Sequence, residues 1–116
     1  MPKEFGRNRR VAQVIKEELA VLIQKKFTIS QYGLVTLTNV DVSPDLKKSI
    51  IYVTSLNMKK SRDDLINELN LEAGRFRHEI SRLLTSKTVP SISFNYDVSI
   101  ERAQRLSEII DSVNDK

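Results

Sequence analysis

Between Ser61 and Ser86 the chain reads as one long helical stretch interrupted near its middle by Gly74, and that interruption constrains the fold most. A glycine in a helix interior costs about 1 kcal/mol relative to alanine, because ordering it forfeits more backbone freedom. A break there divides the stretch into two helices set at an angle. It leaves a bare backbone turn flanked by Arg75 and Arg77. Exposed N–H groups at a helix start, with arginines alongside, suit a phosphate group. Taken alone, the glycine equally fits a simple kink or close packing. If the break is required for folding, Gly74→Ala destabilises the protein and weakens partner binding. A positive φ at Gly74 would add to that penalty.

Periodicity places the other elements. From Asn8 to Phe27, Val11, Val14, Ile15, Leu19, Leu22 and Ile23 recur at helical spacing, and Asn8 is the expected N-cap. Residues 1–7 are expected to form a flexible basic arm. Leu34 to Val42 and Ser49 to Leu56 are rich in Val, Ile, Thr and Tyr. The turn residues Ser43, Pro44 and Asp45 lie between them, so the two pair as antiparallel strands. In the first, Val35 and Leu37 fall out of phase with Val40 and Val42, which predicts a bulge near Thr38.

Ser61 and Asp64 have the form of a capping box ahead of Leu65, Ile66 and Leu69. After Gly74, Phe76, Ile80, Leu83 and Leu84 form a second apolar stripe, which Val89 and Pro90 stop. Ile92, Phe94 and Tyr96 alternate with polar residues as a half-buried strand. Ser99 caps a last helix in which Ala103, Leu106, Ile110 and Val113 share a face, and residues 114–116 form a short tail. The order is α-β-β-α-α-β-α, a single α+β domain over 1–116 with a three-stranded sheet packed against helices.

Composition excludes several kinds of function. The chain has no cysteine and one histidine, His78, so disulfides, thiol chemistry and cysteine-ligated metal are out, and no cofactor is expected. Asp63 and Asp64 serve a helix N-terminus rather than a catalytic pair. Neither common glycine-rich phosphate loop is present. The expectation is a non-enzymatic monomer without a small-molecule substrate. With neither a signal-peptide core nor a membrane-spanning run, it is placed in the cytoplasm, away from membranes.

The net charge of +4 is unevenly spread: residues 1–26 hold seven basic and three acidic groups, residues 72–90 four and two. Such asymmetry points to an anionic partner, nucleic acid before membrane. Arg9 and Arg10 fall in the first turn of the first helix, where cations oppose the helix dipole by roughly 0.3–1 kcal/mol. Arg7 precedes them. Arg75, His78 and Arg82 form a polar stripe opposite the apolar one. Arg7, Arg9, Arg10, Arg75, Arg77, Arg82 and Lys87 are the candidate phosphate contacts, with Gly74 shaping the turn between them. Lys47 and Lys48, and the group Lys59, Lys60 and Arg62, read as solubility residues. Aromatics are only 6% of the chain, and Phe94 and Tyr96 are committed to the core, which gives base stacking little support.

The α-β-β-α-α-β order with a glycine between the central helices resembles a type II KH domain. More narrowly, the chain resembles the bacterial ribosome-binding factor A family over nearly its whole length. The likeness rests on Arg10-Val11-Ala12-Gln13, Val53-Thr54, Val89-Pro90 and Phe94-Asn95-Tyr96-Asp97-Val98-Ser99-Ile100-Glu101-Arg102. It implies a non-enzymatic assembly factor that binds the immature small ribosomal subunit and its rRNA. It further implies support of late rRNA maturation and growth in the cold, and departure before translation. The family's Ala-x-Gly kink corresponds here to Glu72-Ala73-Gly74, an acid replacing the alanine. Its charged turn before the first strand corresponds to Thr28-Ile29-Ser30-Gln31, and the basic residues before its Val-Pro are reduced to Lys87. A basic protein–protein adaptor without RNA contact is the alternative.

Overall fold

A computed structural model of the protein describes residues 2–57, 59–84 and 89–114. Its elements are α1 (Pro2–Lys26), α2 (Ile29–Tyr32), β1 (Leu34–Val42), β2 (Lys48–Leu56), α3 (Arg62–Leu71), α4 (Ala73–Ser81), β3 (Ser91–Tyr96) and α5 (Ser99–Asn114). The sheet has order β1-β2-β3, with β1 antiparallel and β3 parallel to β2. Parallel pairing requires a crossover, and α3 and α4 supply it. The expected α+β layout holds, with one addition: α2 is a single helical turn between Thr28 and Gly33. Gly33 ends it with φ 70, a left-handed value that favours glycine.

The core lies between one sheet face and the helices. Val11, Ile15, Leu19 and Ile23 bury one face of α1 at four-residue spacing. Leu65 and Leu69 of α3 and Phe76 and Ile80 of α4 join them against Val35, Val40, Ile51, Val53, Ile92 and Phe94. Each fully buried side chain of this kind contributes roughly 1.5–3 kcal/mol. Phe76 meets Phe94 edge to face at 6.0 Å, which seats α4 on β3.

The bulge falls where the alternation broke. The β1–β2 register slips between Leu37 and Asn39, so Thr38 has no partner. The slip keeps both Val35 and Val40 on the core side. The freed Thr38 hydroxyl lies 3.2 Å from the Tyr52 carbonyl and also reaches the Asp97 carboxylate.

Several expectations are corrected. Helix α1 begins at Pro2, so segment 2–7 is helical rather than an arm. Asn8 is then an interior residue, and its Nδ2 donates to the Val42 carbonyl at 3.3 Å. The central break lies at Glu72, with Gly74 already the second residue of α4. Gly74 is exposed, its φ is not positive, and a Cβ built on it meets nothing within 4 Å. Neither steric space nor backbone conformation therefore requires glycine there, and the expected destabilisation by Gly74→Ala loses its structural ground. Helix α4 ends at Ser81, which leaves Leu83 outside it and 56% exposed.

Ser99 is the first residue of α5, not its cap; its N–H donates to Asp97 Oδ1 at 2.9 Å. This hydrogen bonding, together with Thr38, holds the Asp97 carboxyl below its usual range. Beyond it α5 leaves the body: every residue from Arg102 to Asp111 is exposed, Leu106, Ile109 and Ile110 included. Ser61 caps α3 as its sequence predicts, accepting from the Asp64 N–H at 3.1 Å.

Candidate nucleic-acid interface

The hinge is one residue wide. Glu72 has φ −91 and ψ −3, and its N–H points to both the Glu68 and Leu69 carbonyls at 3.3 and 3.1 Å. Its carbonyl accepts from Phe76 at 3.0 Å, so α4 starts immediately. No side chain caps α4, since Glu72 makes no capping hydrogen bond. First-turn N–H groups without a side-chain cap beside an exposed glycine leave backbone open to an incoming group.

The Glu72 side chain turns elsewhere. Its Oε2 meets Lys26 Nζ at 2.8 Å and Arg75 Nε at 3.8 Å, joining the end of α1 to the start of α4. The Lys26 hydrogen bond, and secondarily the Lys26 and Arg75 charges, lower the pKa of this carboxyl. Lys26 was not among the expected contacts. Its signal was available, since Lys25 and Lys26 close the last turn of α1, but only the fold shows that this turn faces the hinge.

The expected arginines separate into distinct settings. Arg75 is exposed at the hinge. Arg77 is occupied: its Nε and Nη2 donate to the Val89 carbonyl at 3.2 and 2.9 Å. That fork fixes the chain entering β3, where Ser91 N–H donates to the Lys47 carbonyl at 2.9 Å. Arg82 caps the end of α4 and is exposed, as is His78.

Arg9 and Arg10 are exposed in the third turn of α1 rather than its first, so the expected conflict with the helix dipole disappears. The Arg7 side chain and all of Lys87 lie outside the described residues. Arg10 and Lys26 are sixteen residues apart on one helix, about 24 Å at 1.5 Å per residue. At 100° per residue they also lie about 160° apart around the helix, so the cations do not gather at Gly74.

Two supposed solubility residues are structural. Lys60 Nζ pairs with Glu68 Oε1 at 3.0 Å and sits 5.1 Å from the Tyr32 ring centre, and Tyr32 meets Phe27 edge to face at 4.8 Å. Lys60 draws the Glu68 carboxyl down in pKa, and burial, then Glu68, pushes the Tyr32 hydroxyl up. Arg62 lies 4.4 Å from the Tyr96 ring centre and pairs with Glu101, which ties the start of α5 to α3. Asn70 closes the outer edge of β3: its Oδ1 accepts from the Phe94 N–H at 2.8 Å, and its Nδ2 lies 3.4 Å from the Phe94 carbonyl. Among the described residues no cluster of candidate metal ligands occurs, and no helix is long and apolar enough to cross a membrane.

A three-stranded mixed sheet under a crossover of two helices, with a long first helix packed beside them, defines an α+β domain of KH-like topology. The chain belongs to the ribosome-binding factor A family, whose model matches residues 7–110. Ribosome-binding factor A of Nitrosococcus oceani is 39% identical over 116 residues, covering 100% of this chain and 91% of that protein. Among solved structures, the crystal structure of ribosome-binding factor A from Thermus thermophilus superposes with a TM-score of 0.65 at 19% identity, over 77% of this chain and 94% of that one. The Thermus thermophilus factor as fitted into the cryo-EM map of a 30S complex gives 0.59 at 20% identity, over 73% and 89%. At those identities the two structures attest the fold alone.

Proposed function

We propose that this protein is a non-enzymatic assembly factor that binds the immature small ribosomal subunit and contacts its rRNA. It supports late rRNA processing and growth in the cold, and it dissociates before translation. It acts as a cytoplasmic monomer without a cofactor. The observation that carries this proposal is the family match across residues 7–110. The relative fitted into a 30S complex lends support through its name and its shared fold.

At the level of residues, Arg7, Arg9, Arg10, Arg75, Arg82 and Lys87 contact phosphates. Gly74 keeps the backbone bare where the RNA approaches, and Arg77 acts by holding the chain ahead of β3. Gly74 supports this placement because nothing in the described fold needs a glycine there. Binding to small-subunit rRNA across a salt series tests the proposal. With about five phosphates neutralised, log K falls against log salt with a slope of roughly −3 to −5. A salt-independent interaction would reject it.

The exposed Leu106, Ile109 and Ile110 of α5 favour a second reading, a protein–protein adaptor. Binding that survives removal of the rRNA and persists at high salt would select the adaptor.

A further inference from the structure

The Glu72 carboxylate is one oxyanion held between two cations that come from different helices. Lys26 ends α1 and Arg75 lies in the first turn of α4, and both point at the same oxygen, Oε2. Neither cation is sequestered: the Lys26 side chain is 39% exposed and that of Arg75 71%. The ammonium, within hydrogen-bond reach at 2.8 Å, and the guanidinium, at 3.8 Å and attracting by charge alone, make a fork of positive charge that suits a phosphodiester oxygen as it suits a carboxylate.

We propose that Lys26 is a phosphate-contacting residue and that Glu72 is the protein's own stand-in for that phosphate, displaced when RNA binds. The inference rests on the ribosomal RNA-binding reading and adds to it a residue and a built-in competitor. Ion pairs with this degree of exposure are individually weak, so exchanging carboxylate for phosphate is nearly balanced. Glu72 thereby withholds the fork from RNA that engages no other part of the surface. An RNA already anchored elsewhere on the protein presents its phosphate at high effective concentration and displaces the carboxylate. The consequence is selectivity: the acid weakens binding to arbitrary RNA more than to an RNA that spans the surface.

The test uses full-length protein and deproteinised small-subunit rRNA, with affinity measured by fluorescence anisotropy over a salt series. Glu72→Gln keeps the size of the side chain and removes its charge. At low salt it tightens binding roughly three- to tenfold, and it steepens the salt slope by about 0.7–0.9, the value for one added phosphate contact. In a Lys26→Ala background the gain disappears, because the freed cation is no longer present. Glu17→Gln, an equal change of net charge at an exposed position of α1, sets the baseline for a general charge effect.

Unchanged affinity and slope in Glu72→Gln overturn the proposal. So does a gain that survives Lys26→Ala or is matched by Glu17→Gln. If the parent itself fails to bind rRNA, the ribosomal reading falls along with it. If the parent binds and Glu72→Gln merely equals it, the competitor role alone falls. Thermal unfolding of each variant shows whether the fold is intact before affinities are compared.

Discussion

Gly74→Ala separates what the fold needs from what a ligand needs. The residue is exposed, lies one position inside α4, and offers open space to an added methyl. Its φ is not positive, so alanine meets no backbone strain. Only helix propensity remains to change, worth up to about 1 kcal/mol in a helix interior. At the second helical position part of that gain is lost to fraying, which leaves about 0.5 kcal/mol of stabilisation. For a chain of this length that raises the thermal midpoint by about 2–3 °C, readable by far-UV circular dichroism. Binding to rRNA moves the other way, because the methyl projects where the bare backbone is proposed to meet phosphate. A loss of up to tenfold, equivalent to about 1.4 kcal/mol, is expected. A lowered midpoint would refute the structural reasoning, since it would mean the hinge depends on glycine after all. A raised midpoint with unchanged affinity would remove Gly74 from the interface and leave the arginines to carry it.

Replacing Arg9 and Arg10 together by alanine flattens the salt slope of rRNA binding by about one to two units and leaves the thermal midpoint nearly unchanged, because both are exposed and away from the first turn. Asn70→Ala removes both hydrogen bonds to the Phe94 backbone; the expected loss in chemical denaturation is about 1–3 kcal/mol, without a change in salt slope. Arg77→Lys loses the two-pronged grip on the Val89 carbonyl and destabilises by about 1 kcal/mol, measured the same way. Asp97 titrates below its ordinary value in the folded state, so its stabilising contribution is present above the unfolded pKa and lost as pH falls through the folded one. The midpoint therefore declines on acidification below about pH 4, and Asp97→Asn shallows that decline.

Much of the architecture was legible because local patterns and global fold agree. The four-residue spacing of Val11, Ile15, Leu19 and Ile23 becomes the buried face of α1, and the broken alternation of β1 becomes the slip at Thr38. Ser61 caps α3 through the backbone N–H it was expected to bind. Asn8 misled because an N-cap residue type also serves as a side-chain donor to a neighbouring strand, and only the position of Val42 distinguishes these uses. Gly74 marked the hinge but is not its pivot. The turn falls two residues earlier, at Glu72, whose αR backbone any residue can adopt.

The charges were the least legible part. Arg75 and Arg77 are two apart in sequence, yet one faces a carboxylate and the other grips a carbonyl. Lys26 and Glu72, forty-six positions apart, form a pair that no local pattern announces. Lys60 and Arg62 look like ordinary surface cations until Tyr32 and Tyr96 are placed beneath them. Helix α5 has an amphipathic sequence, but Ala103, Leu106 and Ile110 of its apolar face remain exposed.

The most direct test of the central claim is sedimentation of tagged protein with ribosomal particles from cold-grown cells on a sucrose gradient at low and high salt. At low salt the protein is expected to travel with immature small subunits rather than with translating ribosomes, and raising the salt should move it to the top of the gradient. Protein that stays at the top under both conditions, or that follows the large subunit, would contradict the assignment.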